Sequence, residues 1–168
     1  MFVTVGTDHH HFERLIGWAE RWAQRAQEWD VRIQHGSTRA PVAGTGFDFC
    51  SRDRLEELLA GADVVVSHGG PATITEARRF GHVPVVLARD PHRGEHVDNH
   101  QQLFVQRMAQ SGLVQAVATE DEFLAAVVTQ SYLPRQRGAS PDEVPPGVFR
   151  VGRAAEELVA RRRNRRFG

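Results

Sequence analysis

A doubly wound α/β domain on a parallel sheet of about six strands is the architecture this sequence predicts. Three observations lead there: short β-branched runs recur along the chain, stretches with a helical apolar period separate them, and glycine-bearing loops follow two of the runs. Phe2–Val5 reads as the first strand, Val31–His35 as the second and a weaker Phe47–Phe49 as the third, followed by Asp63–Ser67, Val83–Ala88 and Leu113–Val117. Between the first two, residues 12–27 place Phe12, Leu15, Ile16, Ala19 and Ala23 on one helical face, a stripe suited to covering a sheet. Residues 52–60 and 119–128 repeat the pattern, and Thr119 with Glu122 has the spacing of a capping box.

The chain is long enough for one core-bearing domain, expected over residues 1–130. No stretch approaches the roughly 18 apolar residues of a membrane span, and no charged leader precedes Phe2, so a soluble, cytoplasmic chain is expected. The single cysteine, Cys50, excludes an intrachain disulfide and reads as a small buried hydrophobe. Residues 131–150 are broken by prolines and glycines and read as a loop or tether. Beyond them, 151–168 fits a basic amphipathic helix, with Ala154, Ala155, Leu158 and Val159 on one side and arginines on the other. No nucleic-acid partner is expected.

In a doubly wound sheet ligands bind beyond the carboxyl ends of the strands, where the strand order reverses. For an order 3-2-1-4-5-6 the loops there are Gly6-Thr7 and Ser67-His68-Gly69-Gly70-Pro71-Ala72-Thr73. In the second loop two glycines bare the backbone, Pro71 suits a first helical position, and the free amides of the helix start attract phosphate. Thr73 and His68 can add donors, and Glu76, one turn on, can accept from the vicinal hydroxyls of a ribose. The segment 89–102 after the next strand is rich in groups that read hydroxyls, among them Glu95, Asn99, His100 and Gln101. His96 and His100 have a spacing compatible with a metal, but no third ligand is identifiable and His-Glu-x-x-His is absent, so no metal site is expected. Within His9-His10-His11 one imidazole can serve as a base or phosphate donor, His11 and His68 being the catalytic candidates; a solvated helix start explains the triplet equally well.

Phe2-Val3-Thr4-Val5-Gly6-Thr7, Ile33-Gln34-His35-Gly36, Ala62 through Gly70, Gly81-His82-Val83-Pro84 and Gly94 through Gln101 resemble landmarks of the C-terminal domain of family 28 glycosyltransferases. The likeness runs from residue 1 to about 128 and is nearest to the short catalytic subunits of two-component transferases for polysaccharides and dolichol-linked N-acetylglucosamine. It implies a Rossmann-like domain equivalent to the C-terminal half of a GT-B enzyme. It further implies a UDP-sugar donor, with Gly6, Thr7, His68, Gly69, Gly70 and Thr73 on the diphosphate, Glu76 on the ribose, and Glu95, Asn99, His100 and Gln101 near the transferred sugar. The expected reaction moves a hexose with inversion to a lipid-linked or polysaccharide acceptor, without a metal or other cofactor. A membrane-anchored, acceptor-binding subunit is the expected partner, which would hold the chain at the inner membrane face. A non-catalytic nucleotide-sugar-binding module is the alternative; an epimerase of the same fold is a further one, disfavoured because such chains are about twice as long.

Overall fold

The computed structural model describes residues 1–135. The basic helix expected at 151–168 and most of the 131–150 loop lie outside the described residues. The elements run β1 (Phe2–Thr4), α1 (Glu13–Arg25), β2 (Arg32–Gln34), β3 (Thr45–Phe47), α2 (Arg52–Gly61), β4 (Val65–His68), α3 (Pro71–Arg79), β5 (Val85–Leu87), a 3-10 turn (Pro91–Arg93), α4 (His100–Gln110), β6 (Gln115–Val117) and α5 (Glu120–Tyr132). All six strands are parallel, in the order β3-β2-β1-β4-β5-β6. The order reverses between β1 and β4, where Phe2 pairs with Val65 and Thr4 with Ser67.

The period of two along each strand splits the core into layers. Val3 and Val66 face a cluster with Leu15 and Ile16 of α1 and Phe123 and Val127 of α5. Phe2 and Val65 face the opposite way, onto Leu58 and Leu59 of α2 and Ala77 of α3, while Val86 meets Ile74, Val105 and Met108. This double cover leaves only loops at the carboxyl ends of β1 and β4, the switch point at which doubly wound sheets bind ligands.

Helix ends follow their local chemistry. Thr119 accepts from the Glu122 amide while the Glu122 carboxylate bonds back to Thr119, the expected capping box, and α5 then runs on to Tyr132, past the expected boundary at 130. The third strand begins two residues earlier than its apolar residues suggest. Gly44, at φ +82°, turns the chain so that the Thr45 amide bonds Val31 O at 2.8 Å and starts the ladder. Most of this edge strand is exposed, so it carries no apolar alternation to read. Cys50 is half-buried, less enclosed than expected, and its thiol is pushed up by desolvation.

Candidate functional site

The β1 loop is held by Gln34, a buried residue of β2 that sequence reasoning missed. Its Nε2 donates to Gly6 O at 3.0 Å and Asp48 O at 2.7 Å, and its Oε1 accepts from the Gly6 amide at 3.1 Å and the Thr4 hydroxyl at 2.6 Å. The Gly6 amide is therefore committed to protein partners, and Thr7, just beyond, is exposed. Gly6 sits at φ +77°, a region costly for residues with a Cβ.

The glycines of the β1 and β4 loops have a reason in the protein's own packing. A Cβ on Gly6 or on Gly70 would collide with the His68 imidazole, and one on Gly69 would lie 2.9 Å from Val105 Cγ2 and 3.2 Å from Gln101 Cβ. Packing of the protein's own side chains thus sets the glycine requirement. The His68 ring bridges the two loops, is buried, and has its pKa pushed down to about 4, chiefly by desolvation and then by the Arg89 charge. At neutral pH it is an uncharged imidazole, with one N–H to donate and one ring nitrogen to accept.

Helix α3 starts as predicted, with Pro71 in its first turn and Gly70 as an N-cap that offers no side chain to the amides. Thr73 is half-buried there. Glu76 points its carboxylate at two arginines, accepting from Arg52 at 3.0 Å and Arg79 at 3.1 Å.

The β5–α4 segment is built differently. Arg89 is fully buried and donates to Val5 O at 2.9 Å, His10 O at 2.7 Å and Glu95 O at 3.0 Å, with Phe12 4.7 Å beneath its guanidinium. Among the described residues no carboxylate forms an ion pair with it, so a positive charge sits in a low-dielectric setting behind the β1 loop; desolvation lowers its pKa, while Asp8 and Glu95 act against that. Glu95, expected near a sugar, is buried and paired with Arg14 through bonds of 2.6 and 3.1 Å, and it also caps the Asp90 amide at 2.8 Å. Asn99 and His100 are exposed at the start of α4, and His100 bonds Asp98 at 2.9 Å. His96 lies before the helix, so the two histidines are not a helical pair.

His11 is exposed, whereas its neighbour His10 is engaged: Asp8 Oδ1 accepts from the His10 amide at 2.8 Å and meets its Nδ1 at 2.6 Å. Burial pushes the Asp8 carboxyl up, but the bonds from His10 and the charge of Arg89 outweigh it and hold the group below its ordinary range. Asp8-His9-His10 is an Asx-turn spacing, the signal that could have singled out Asp8.

Among the described residues, five buried side-chain atoms have no hydrogen-bond partner: Trp22 Nε1, Ser67 Oγ, His68 Nδ1, Arg89 Nε and Gln101 Oε1. Four of these five belong to the ends of β4 and β5 and the start of α4. Buried polar atoms are normally satisfied, and of these residues His68 and Gln101 lie against the Gly69-Gly70 backbone that leads into α3.

A family model for the glycosyltransferase family 28 C-terminal domain matches residues 1–156. The chain belongs to that family. A curated relative, the UDP-N-acetylglucosamine transferase subunit ALG13 of Kluyveromyces lactis, is 37% identical over 84 residues, which are 49% of this chain and 40% of the relative. Among solved structures, the glycotransferase of kitacinnamycin superposes with a TM-score of 0.61 at 20% identity over 95% of this chain and 42% of its own. CalG4, the calicheamicin glycosyltransferase, gives 0.62 at 18% identity over 95% and 43%. The family 28 domain thus spans less than half the length of each of these proteins and has the α/β fold of the matched part of the two glycosyltransferase structures. No helix among the described residues is long and apolar enough to cross a membrane.

Proposed function

We propose that this chain is the donor-binding part of an inverting glycosyltransferase that uses a UDP-sugar and works with a membrane-anchored, acceptor-binding partner. The observation that carries the reading is the cluster of unpartnered buried polar atoms beside the uncapped start of α3, in a chain of this family. The amides of α3 and the positive end of its dipole receive the diphosphate, Thr73 and neutral His68 donate to it, and the buried Arg89 charge raises the anion affinity of the whole crevice. Glu76, oriented by Arg52 and Arg79, accepts from the ribose hydroxyls. Gln101 Oε1 accepts from a hydroxyl of the sugar, with Asn99 and His100 at the open side.

In the reaction the acceptor oxygen bonds to the anomeric carbon from the face opposite the diphosphate, the carbon–oxygen bond to the diphosphate breaks, and the negative charge develops where the α3 amides already point. Fixed dipoles then do the work of stabilising the leaving group, and no divalent ion is needed on the diphosphate. The acceptor, a lipid-linked saccharide or growing polysaccharide, and the base that takes its proton are supplied with the partner.

The test is calorimetric titration of the purified chain, in EDTA, with UDP, UDP-sugars and other nucleotides. Micromolar UDP binding that weakens about tenfold in Glu76→Ala is expected, matching roughly 1.5 kcal/mol for hydrogen bonds to a carboxylate. Equal affinity for every nucleotide defeats the reading. Sugar transfer to a polyprenyl-linked acceptor is then assayed with and without the co-expressed partner, and equal activity without it defeats the half-enzyme reading.

A further inference from the structure

At the rim of the crevice Asp8 gathers imidazoles from two separate loops. Its Oδ1 lies 2.6 Å from His10 Nδ1 and 3.7 Å from His9 Nδ1, and its Oδ2 lies 3.7 Å from His96 Nε2. The ligating atoms of Asp8, His9 and His10 fall within 4.8 Å of one another, and the His10 and His96 rings are 6.0 Å apart. We propose that Asp8, His10 and His96, completed by His9, bind a zinc-class divalent ion that clamps the β1 loop to the segment before α4.

Ligands about 2.0–2.1 Å from a tetrahedral zinc lie roughly 3.3 Å from one another. The 3.7 Å separations from Asp8 close by a few tenths of an ångström, His96, which lies outside the compact Asp8-His9-His10 group, moves in further, and the Asp8–His10 hydrogen bond opens as the ion replaces its proton. A second, independent feature is the support behind His96. Its Nδ1 lies 3.2 Å from Asp98 O, 3.4 Å from Asp98 Oδ1 and 3.3 Å from the Asp98 amide, and its Nε2 is turned toward Asp8; metal binding at Nε2 needs the tautomer whose Nδ1–H donates to Asp98. That is the outer support that orients a metal-bound imidazole. The charge balance selects the ion. Arg89 acts on Asp8 from below, and one carboxylate is too little for an oxygen-seeking ion such as magnesium, whereas neutral imidazoles suit zinc, cobalt or nickel. The sequence expectation of no metal rested on the want of a third ligand near His96; the fold brings it from residues 8–10.

The full chain, purified without a histidine tag and stripped with EDTA, is titrated with ZnCl2 by calorimetry and with CoCl2 by visible absorption. One equivalent bound at micromolar strength or tighter, with the intense band of tetrahedral cobalt, is expected. His96→Ala and Asp8→Asn should each weaken binding by at least about 100-fold, while His92→Ala, outside the cluster, leaves it unchanged. Zinc should also raise the thermal midpoint of the parent chain and not that of His96→Ala. Wild-type affinity in a folded His96→Ala overturns the proposal, because it places the ion on the local histidine triplet; so does binding no tighter than millimolar in the parent chain. If Asp8→Asn fails to fold by circular dichroism, His96→Gln decides. A UDP titration of the same samples keeps this outcome separate from the donor-site reading.

Discussion

Glu76 and Glu95 carry the same carboxylate to neighbouring sides of the crevice, and the fold uses them in opposite ways. Glu76, 17% exposed, meets Arg79 at 33% and Arg52 at 70%, so its Arg52 partner is solvated and can yield to a ligand hydroxyl. Glu95 is 7% exposed, is gripped by Arg14, and holds the Asp90 amide, so it shapes the loop. The Glu76 pairs thus open to solvent through Arg52, whereas the Glu95 pair is spent on the structure of the β5–α4 segment. Binding chemistry and structural chemistry are separated by burial, since a desolvated pair is costly to break and an exposed one is not.

The largest effect that can break this contrast comes from Arg14→Ala. It strands the buried Glu95 carboxylate and should destabilise the chain by about 3–5 kcal/mol in urea unfolding; a small loss would mean that Glu95 is as free as Glu76. Next is His68. Unfolded, it takes up a proton near the ordinary histidine value of 6.5, whereas in the folded chain it does so only at about 4. As pH falls from about 6.5 to 4, the unfolded chain gains a proton that the native one refuses, and up to about 3 kcal/mol of stability is lost. His82, also lowered by burial, adds to the same slope, so the comparison is between the parent and His68→Gln, whose profile should be flatter. Gly6→Ala follows, at about 2 kcal/mol from its positive φ and the His68 ring; in a His68→Ala background part of that cost should disappear. Smallest is Glu76→Gln, which should leave the urea midpoint within error while lowering UDP affinity. A large stability loss there would move Glu76 to the structural side.

The strand order, the α3 start and the Thr119 capping box were legible in the sequence. Each is written in local periodicity or in residues three or four apart. The adjacency of β1 and β4 followed as well, because chain order in a right-handed doubly wound sheet dictates where they meet. Site residues were legible as neighbours in sequence and illegible as partners in space. Glu95 looked like Asn99 and Gln101 until Arg14, 81 residues away, took its carboxylate. That a Cβ on Gly6 or Gly70 would meet the His68 ring was equally hidden.

What the sequence determined by itself is the layered parallel sheet and the helix start at its switch point, since backbone preferences and apolar period act over a few residues. Only tertiary structure decided which polar groups remain unpartnered. Gln34 reaches Gly6 across 28 residues and Arg89 reaches Val5 across 84. Whether a buried charge or amide is satisfied depends on such distant contacts, so desolvation, not residue type, separates the groups that build the crevice from those left to bind.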